Sequence, residues 1–213
     1  LDAASLAYTL DHGEAKILLT DTEFAPVIQE ALHQCKSNPL VVDIDDSEGP
    51  GGERFGSILY DEFLAEGDPD YAANFPSDEW DAISLNYTSG TTGDPKGVVY
   101  HHRGAYLNSL SNLVGWDMGH HPVYLWTLPM FHCNGWCFTW AVTAVAGTHV
   151  CLRRVEPAPV FDAIVEHKVN VLCGAPVVLA TLLNAVDEVR KKFDHKCQIF
   201  TGGAAPPSSV ISG

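Results

Sequence analysis

The segment YTSGTTGDPKG (residues 87–97) concentrates glycines, hydroxyl side chains and one lysine between two apolar runs. The run AISLNYT (82–88) leads into it and GVVYHH (97–102) leads out of it, and both have the composition of buried strands. The glycines allow backbone N–H groups to converge on an anion, and Lys96 adds a mobile positive charge. The segment therefore predicts a phosphate-binding loop between two strands, with a flexible surface turn as the alternative.

The loop departs from the Walker A pattern of nucleoside triphosphatases. Lys96 follows Pro95, and Gly97 stands where that pattern requires Ser or Thr after the lysine. The sequence therefore disfavours a Walker-type or kinase-type phosphate site.

Short apolar runs alternate with amphipathic segments along the whole chain. KILLTD (16–21) and LVVDID (40–45) flank a segment with helical spacing of apolar residues at 23–35, which predicts a βαβ unit and a parallel sheet. Further strands are predicted at 123–129, 148–152, 169–175 and 198–203, and helices at 103–115, 135–146, 157–167 and 176–189. The pattern predicts an α/β fold with a layered parallel sheet.

Composition narrows the class of protein. Of the 213 residues, 46% are hydrophobic and 18% are charged, which is enough apolar material for a sizeable core. The formal net charge of −15 argues against binding to nucleic-acid phosphates. Acidic residues crowd an expected loop-rich insertion at about 46–80. Six cysteines without a CxxC pair indicate reduced thiols, and no signal-peptide or membrane-spanning pattern is evident, so we expect a cytoplasmic protein.

Three motifs in this order resemble those of the adenylate-forming enzymes, which include acyl-CoA synthetases, beetle luciferases and the adenylation domains of peptide synthetases. SGTTGDPKG (89–97) is similar to their phosphate-loop signature. PMFHCNGW (129–136) resembles their second core motif, and TGGAAPP (201–207) resembles the segment that lies against the adenine. The resemblance covers essentially the whole chain. It implies a partial N-terminal AMP-binding domain over residues 1–213 with flavodoxin-like subdomains, truncated at both ends and lacking the C-terminal domain.

The resemblance implies a reaction and its cofactors. A carboxylic acid would attack the α-phosphate of ATP, with Mg²⁺ bridging phosphate oxygens, and the acyl-adenylate would then be transferred to coenzyme A. The residues implied to hold the β- and γ-phosphates are Thr88, Ser89, Gly90, Thr91, Thr92, Gly93 and Lys96. Thr92 would lie near Mg²⁺ together with a glutamate outside this chain. The small residues implied to approach the adenine are Gly203, Ala204, Ala205 and Pro206.

The second motif supplies the residues that the resemblance assigns to the acid. His132 would lie where the acyl group and the phosphate meet, at the end of a predicted strand, and a purely structural histidine is the alternative. Asn134, Gly135 and Trp136 would contact the acid, although aromatic residues such as Trp136 usually pack in the core. Zinc binding by His132 with Cys133 and Cys137 is disfavoured, because adjacent residues rarely reach one ion.

The form of this motif is similar to that of ligases for short, medium-chain or aromatic acids, including 3-methylmercaptopropionyl-CoA ligases. We expect partners to be the acid, ATP and coenzyme A, in a protein that forms a homodimer and binds neither nucleic acid nor the membrane interior. The chain by itself is expected not to complete the reaction. Two alternatives stay open: an adenylation domain that loads a carrier protein, and a pseudo-enzyme that only binds nucleotide.

Overall fold

The computed structural model describes residues 2–88, 94–208 and 211, and these form two compact units, Leu1–Val99 and Tyr100–Gly213. Helices alternate with strands in both units, and most of the strands pair in parallel. The α/β class predicted from the alternation of apolar runs is therefore confirmed.

The first unit is built on the predicted βαβ segment. Its three-stranded sheet has the order β1-β2-β3, and both pairings are parallel. Strand β2 is the central strand and buries three successive residues, whereas the edge strand β1 buries one. The elements in chain order are α1 (Ala3–His12), β1 (Ile17–Asp21), α2 (Ala25–Gln34), β2 (Leu40–Ile44), β3 (Ile58–Leu59) and α3 (Tyr60–Ala65).

The strands on either side of the glycine-rich loop, β4 (Ala82–Tyr87) and β5 (Gly97–His101), pair in a two-stranded sheet. Neither contains a buried residue, so the prediction of two buried strands is wrong on this point. The reason is that, among the residues that the structure describes, β4 and β5 pair only with each other and neither lies at the centre of a larger sheet.

The acidic insertion predicted at about 46–80 is fixed to the sheet by a buried carboxylate. Asp43, in β2, is 1% exposed, and its Oδ2 accepts hydrogen bonds of 2.8 Å from the backbone N–H groups of Phe55 and Gly56. The chain then enters β3 and α3, which the sequence did not reveal as regular elements.

The second unit contains a four-stranded parallel sheet of order β7-β6-β8-β9. Its strands are β6 (Val123–Leu125), β7 (Thr148–Val150), β8 (Val171–Gly174) and β9 (Gln198–Thr201). Its helices are α4 (His102–Gly115), α5 (Cys133–Trp136), α6 (Phe138–Ala144), α7 (Pro157–Glu166) and α8 (Pro176–Leu183). The helix predicted at 135–146 is therefore divided at Cys137, and the one predicted at 176–189 ends six residues early.

Alternation along β6 and β8 directs apolar side chains to two faces of this sheet. Tyr124 packs on one face with Phe138 of α6, and Leu125 packs on the other with Val160 of α7. All four side chains are fully buried. The sheet therefore separates an aromatic-rich cluster on the α4 and α6 side from an aliphatic cluster on the α7 side. Within the described part of the chain, no helix is long and apolar enough to cross a membrane.

We predict that Asp43→Ala lowers the free energy of unfolding of the intact protein by about 2–4 kcal/mol, because two backbone N–H groups lose their acceptor. Urea denaturation measures the effect. The matched control is Asp45→Ala, which removes a carboxylate whose ion pair with Arg54 is solvent-exposed and should cost less than about 1 kcal/mol. Equal losses in the two variants would contradict the anchoring role of Asp43.

Candidate functional site

The ends of the predicted phosphate loop are joined by two hydrogen bonds. The Thr88 N–H donates to the Lys96 carbonyl at 3.1 Å, and the Lys96 N–H donates to the Thr88 Oγ1 at 3.0 Å. Both residues are exposed. The predicted phosphate ligands Ser89, Gly90, Thr91, Thr92 and Gly93 lie outside the described residues.

The second predicted motif forms a turn of left-handed backbone. Residues 133–137 all have positive φ, from 51° at Cys133 to 66° at Cys137, and we call this segment the left-handed turn. Only Gly135 among them lacks a Cβ, and each of the other residues costs about 1–2 kcal/mol in this conformation. The surrounding structure must compensate for this strain.

Helix α4 supports the left-handed turn through side chains on one of its faces. The Asn112 Nδ2 donates to the Trp136 carbonyl at 2.7 Å, and the Asn108 Nδ2 approaches the same oxygen at 3.4 Å. The buried Ser109 hydroxyl lies 3.3 Å from the Cys137 carbonyl. The Asn112 amide thus supplies a donor to the Trp136 carbonyl, whereas the Cys137 carbonyl also accepts the Ala141 N–H of α6 at 2.9 Å.

The Trp126 ring supports the turn from its other side. A Cβ built at Gly135 would lie 2.5 Å from the Trp126 Cζ3, so only glycine fits at this position. The Trp126 indole N–H donates to the His149 Nδ1 at 2.9 Å, which places the proton of neutral His149 on Nε2, 3.0 Å from the Thr143 hydroxyl. Burial lowers the pKa of His149 and favours this neutral form.

The Trp136 indole brings the second motif into contact with the predicted adenine segment. A Cβ at Gly202 would lie 2.3 Å from the Trp136 Cη2, so the ring covers this glycine. Trp116 contacts the Trp136 ring edge-on at a centroid distance of 6.4 Å and stacks on Phe200 at 4.5 Å. The sequence did not single out Gly202, Trp116 or Phe200, since each takes part only through tertiary packing.

His132 has a different setting from the one predicted. Strand β6 ends at Leu125, so the prediction that His132 follows a strand end is wrong. His132 instead precedes α5 at its N-cap position, where it is exposed, and its carbonyl accepts the Gly135 N–H at 2.9 Å.

A cavity of about 310 Å³ lies between α4 and the left-handed turn. It is lined by Tyr100, Asn108, Asn112, Trp116, Cys133, Trp136 and Cys137. Burial, together with a hydrogen bond to Cys133, raises the pKa of Tyr100 to about 12, and burial also raises the pKa of the Cys137 thiol. The cavity wall therefore presents aromatic surface and neutral polar groups at pH 7.

The four predicted adenine contacts follow β9 on a segment that is exposed at residues 203–205. Gly203 has a φ of +82°, and no described atom lies within 4 Å of a Cβ built there. Ala204 and Ala205 are exposed. Pro206 lines a separate, larger cavity of about 800 Å³ whose wall combines apolar side chains with four charged ones. The open space beside Gly203 is compatible with a flat ligand.

No cluster of three or more His, Cys, Asp or Glu side chains within residues 2–88, 94–208 and 211 could hold a metal ion. His132, Cys133 and Cys137 are among these residues and do not form such a cluster. The predicted Mg²⁺ contact, Thr92, lies outside these residues.

Comparison with known proteins identifies relatives across the chain. Residues 1–212 match the protein family described as AMP-binding enzyme. The acetate–CoA ligase CCL3 of Humulus lupulus is 46% identical over 99% of this chain, and the peroxisomal acetate/butyrate–CoA ligase AAE7 of Arabidopsis thaliana is 43% identical over 99%. The chain spans 39% of the length of each relative.

A solved structure has the same fold. The inhibitor-bound N-terminal domain of FACL13 from Mycobacterium tuberculosis superimposes with a TM-score of 0.81 at 25% sequence identity. The superposition covers 100% of this chain and 50% of that one. The fold expected from the motif resemblance is therefore confirmed.

We predict that Gly135→Ala destabilises the intact protein by about 2–4 kcal/mol, because the new methyl group meets the Trp126 ring in a backbone that already has positive φ. Thermal or urea denaturation measures the loss. Gly203→Ala is the matched control, since it has positive φ but open space, and should cost about 1 kcal/mol. A Gly135→Ala variant no less stable than Gly203→Ala would refute the packing described here.

We predict that His149 contributes stability that is lost on acidification. Because its folded pKa lies below the ordinary 6.5, the unfolded chain binds the proton first, and stability falls as the pH drops below about 6.5 towards the folded pKa. Denaturation between pH 7.5 and 5.5 should show a smaller loss for His149→Gln than for the unmodified protein. Identical slopes in the two proteins would contradict the prediction.

Proposed function

Because this chain belongs to the AMP-binding enzyme family, we propose that the protein containing it activates a carboxylic acid with ATP and transfers the acyl group to coenzyme A. The observation that carries the proposal is the family match over residues 1–212, joined by the packing of Trp136 of the second motif on Gly202 of the adenine segment. We also propose that the two compact units are parts of one AMP-binding domain.

A carboxylate needs activation because its oxygen is a poor leaving group. Attack of the carboxylate oxygen on the α-phosphate of ATP releases pyrophosphate and links the acid to AMP as an acyl-adenylate. A thiol then displaces AMP. Catalysis of phosphoryl transfer depends mainly on positioning and on stabilisation of developing negative charge. The protein must therefore supply N–H and O–H donors and positive charge around the phosphates.

The glycine-rich loop would supply these groups. Lys96 is exposed, and the hydrogen bonds that link it to Thr88 involve backbone atoms and the threonine hydroxyl, so its ammonium group is not required for closing the loop. We propose that Thr88, Lys96 and the intervening Ser89, Gly90, Thr91, Thr92 and Gly93 hold the β- and γ-phosphates. Mg²⁺, when bound, would neutralise phosphate oxygens, with the Thr92 hydroxyl as a candidate contact.

The acid would lie against the second motif. The cavity of about 310 Å³ beside the left-handed turn is small, and its aromatic and neutral lining suits an uncharged acyl group. We propose that Trp136 with Asn134 and Gly135 contacts this group, and that His132, which is exposed beside the turn, contacts the carboxylate end. Gly203, Ala204, Ala205 and Pro206 would lie against the adenine.

The size of the cavity favours a short or single-ring acid over a long chain. The names of the two relatives are consistent with this, since they are ligases of acetate and of acetate or butyrate. We also propose that coenzyme A is the thiol acceptor and that the protein is a cytoplasmic homodimer with a part in fatty-acid metabolism. For the location, the relative AAE7 offers a different precedent, since it is named as peroxisomal. Loading of a carrier protein is the alternative use of the same adenylate.

We predict that Lys96→Ala slows acid-dependent exchange of pyrophosphate into ATP by about 10- to 1,000-fold in the intact protein. The reason is that the variant loses the positive charge that would stabilise the leaving pyrophosphate. The assay uses a panel of acetate, butyrate, hexanoate and benzoate. Lys36→Ala removes another exposed lysine and is the matched control, and thermal unfolding checks that both variants fold. An unchanged exchange rate in Lys96→Ala would reject its role, and no exchange with any acid in the unmodified protein would favour the pseudo-enzyme alternative.

A further inference from the structure

The left-handed turn needs support that its own sequence does not supply. Four of its five residues carry a Cβ and yet have φ between 51° and 66°. L-amino acids rarely adopt this conformation in succession, because the Cβ crowds the following carbonyl. The groups that hold the turn in place are therefore expected to decide where its side chains point.

Two asparagines on α4, four residues apart, contact the left-handed turn at one atom, the Trp136 carbonyl oxygen. The Asn112 amide lies 2.7 Å from the Trp136 carbonyl oxygen, and the Asn108 amide lies 3.4 Å from it. Residues at this spacing share a helix face, so both amides approach from the same side. Asn108 also hydrogen-bonds the Cys137 thiol, where it opposes the rise in the pKa of that buried group.

The carbonyl held by these amides and the indole that covers Gly202 belong to the same residue, Trp136. The carbonyl carbon is bonded directly to the Trp136 Cα, so the two amides restrain the ψ angle of Trp136 and the path of the backbone from which the indole projects. The indole has little freedom, because a carbon atom added at Gly202 would lie 2.3 Å from its edge. Asn108, Asn112 and Trp136 also line the same cavity.

We propose that Asn112, assisted by Asn108, is a positioning residue that sets the size of the acid by fixing the Trp136 indole over Gly202. The inference rests on the proposed function, since it concerns the acid that this site would activate. With the two asparagine amides hydrogen-bonded to the Trp136 carbonyl, the indole closes one side of the cavity and short acids are preferred. Without these hydrogen bonds, the left-handed turn relaxes, the indole moves, and longer acids gain access.

The selectivity test compares Asn112→Asp with the unmodified intact protein. Aspartate has the same shape but, when ionised, has no N–H to donate, and it repels the Trp136 carbonyl. The kcat/KM of acid-dependent pyrophosphate exchange is measured for acetate, butyrate and hexanoate. We expect the ratio of acetate to hexanoate to fall by about tenfold or more, within the range by which pockets discriminate added methylene groups.

The matched control is Asn184→Asp, because the Asn184 amide also donates to a backbone carbonyl, that of Ala180, at 2.8 Å on α8. A role in stability alone would lower exchange with all three acids by the same factor and leave the ratio unchanged, which would overturn the proposed selectivity. Asn112→Leu, which removes the amide without adding charge, replaces Asn112→Asp if that variant does not fold.

A second readout does not depend on activity. The protein is labelled with 5-fluorotryptophan, and the ¹⁹F signal of Trp136 is assigned from its loss in Trp136→Phe. We expect this signal to shift or broaden in Asn112→Asp and to stay in place in Asn184→Asp. An unmoved signal would refute the positioning role even if exchange were absent, whereas absence of exchange with every acid in the unmodified protein would refute the proposed function.

Discussion

The contact between the Trp136 indole and Gly202 is the constraint on which the candidate site depends. The ring lies so close to Gly202 that no side chain fits there, and it joins the second motif to the segment after β9. Trp136 makes this contact from a backbone of positive φ, which the Trp126 ring and the amides of α4 hold in place. Local strain is thus offset by packing against Trp126 and by hydrogen bonds from α4.

The polar groups around this contact are neutral, and this limits what the cavity can bind. Burial raises the pKa of Tyr100 and of Cys137, and the donors from α4 are amides and a hydroxyl. Such a lining suits an uncharged acyl group or ring better than a carboxylate or phosphate, whose burial would require compensating charge. The proposed division of roles follows from this, with Lys96 and the loop hydroxyls assigned to the phosphates.

Much of the fold could be predicted from the spacing of apolar residues, because strands and helices each produce a characteristic period along the chain. The βαβ unit at 16–45 is confirmed, and strands occur within each of the later predicted ranges. The left-handed turn could not be predicted, since the apolar run after Gly135 has the composition of an ordinary helix. The contacts that support the turn come from Asn112 and Trp126, which are distant in sequence. Gly202, Trp116 and Phe200 were missed for the same reason. The roles of Lys96 and His132 stay predictions.

A crystal structure of the intact protein with a non-hydrolysable analogue of a short acyl-adenylate would test the central claim most directly. The account predicts that residues 133–137 keep positive φ, that the acyl group ends against the Trp136 indole, and that the adenine lies beside Gly203 and Ala204. An acyl group bound away from Trp136, or a right-handed backbone at 133–137 with the indole removed from Gly202, would contradict it.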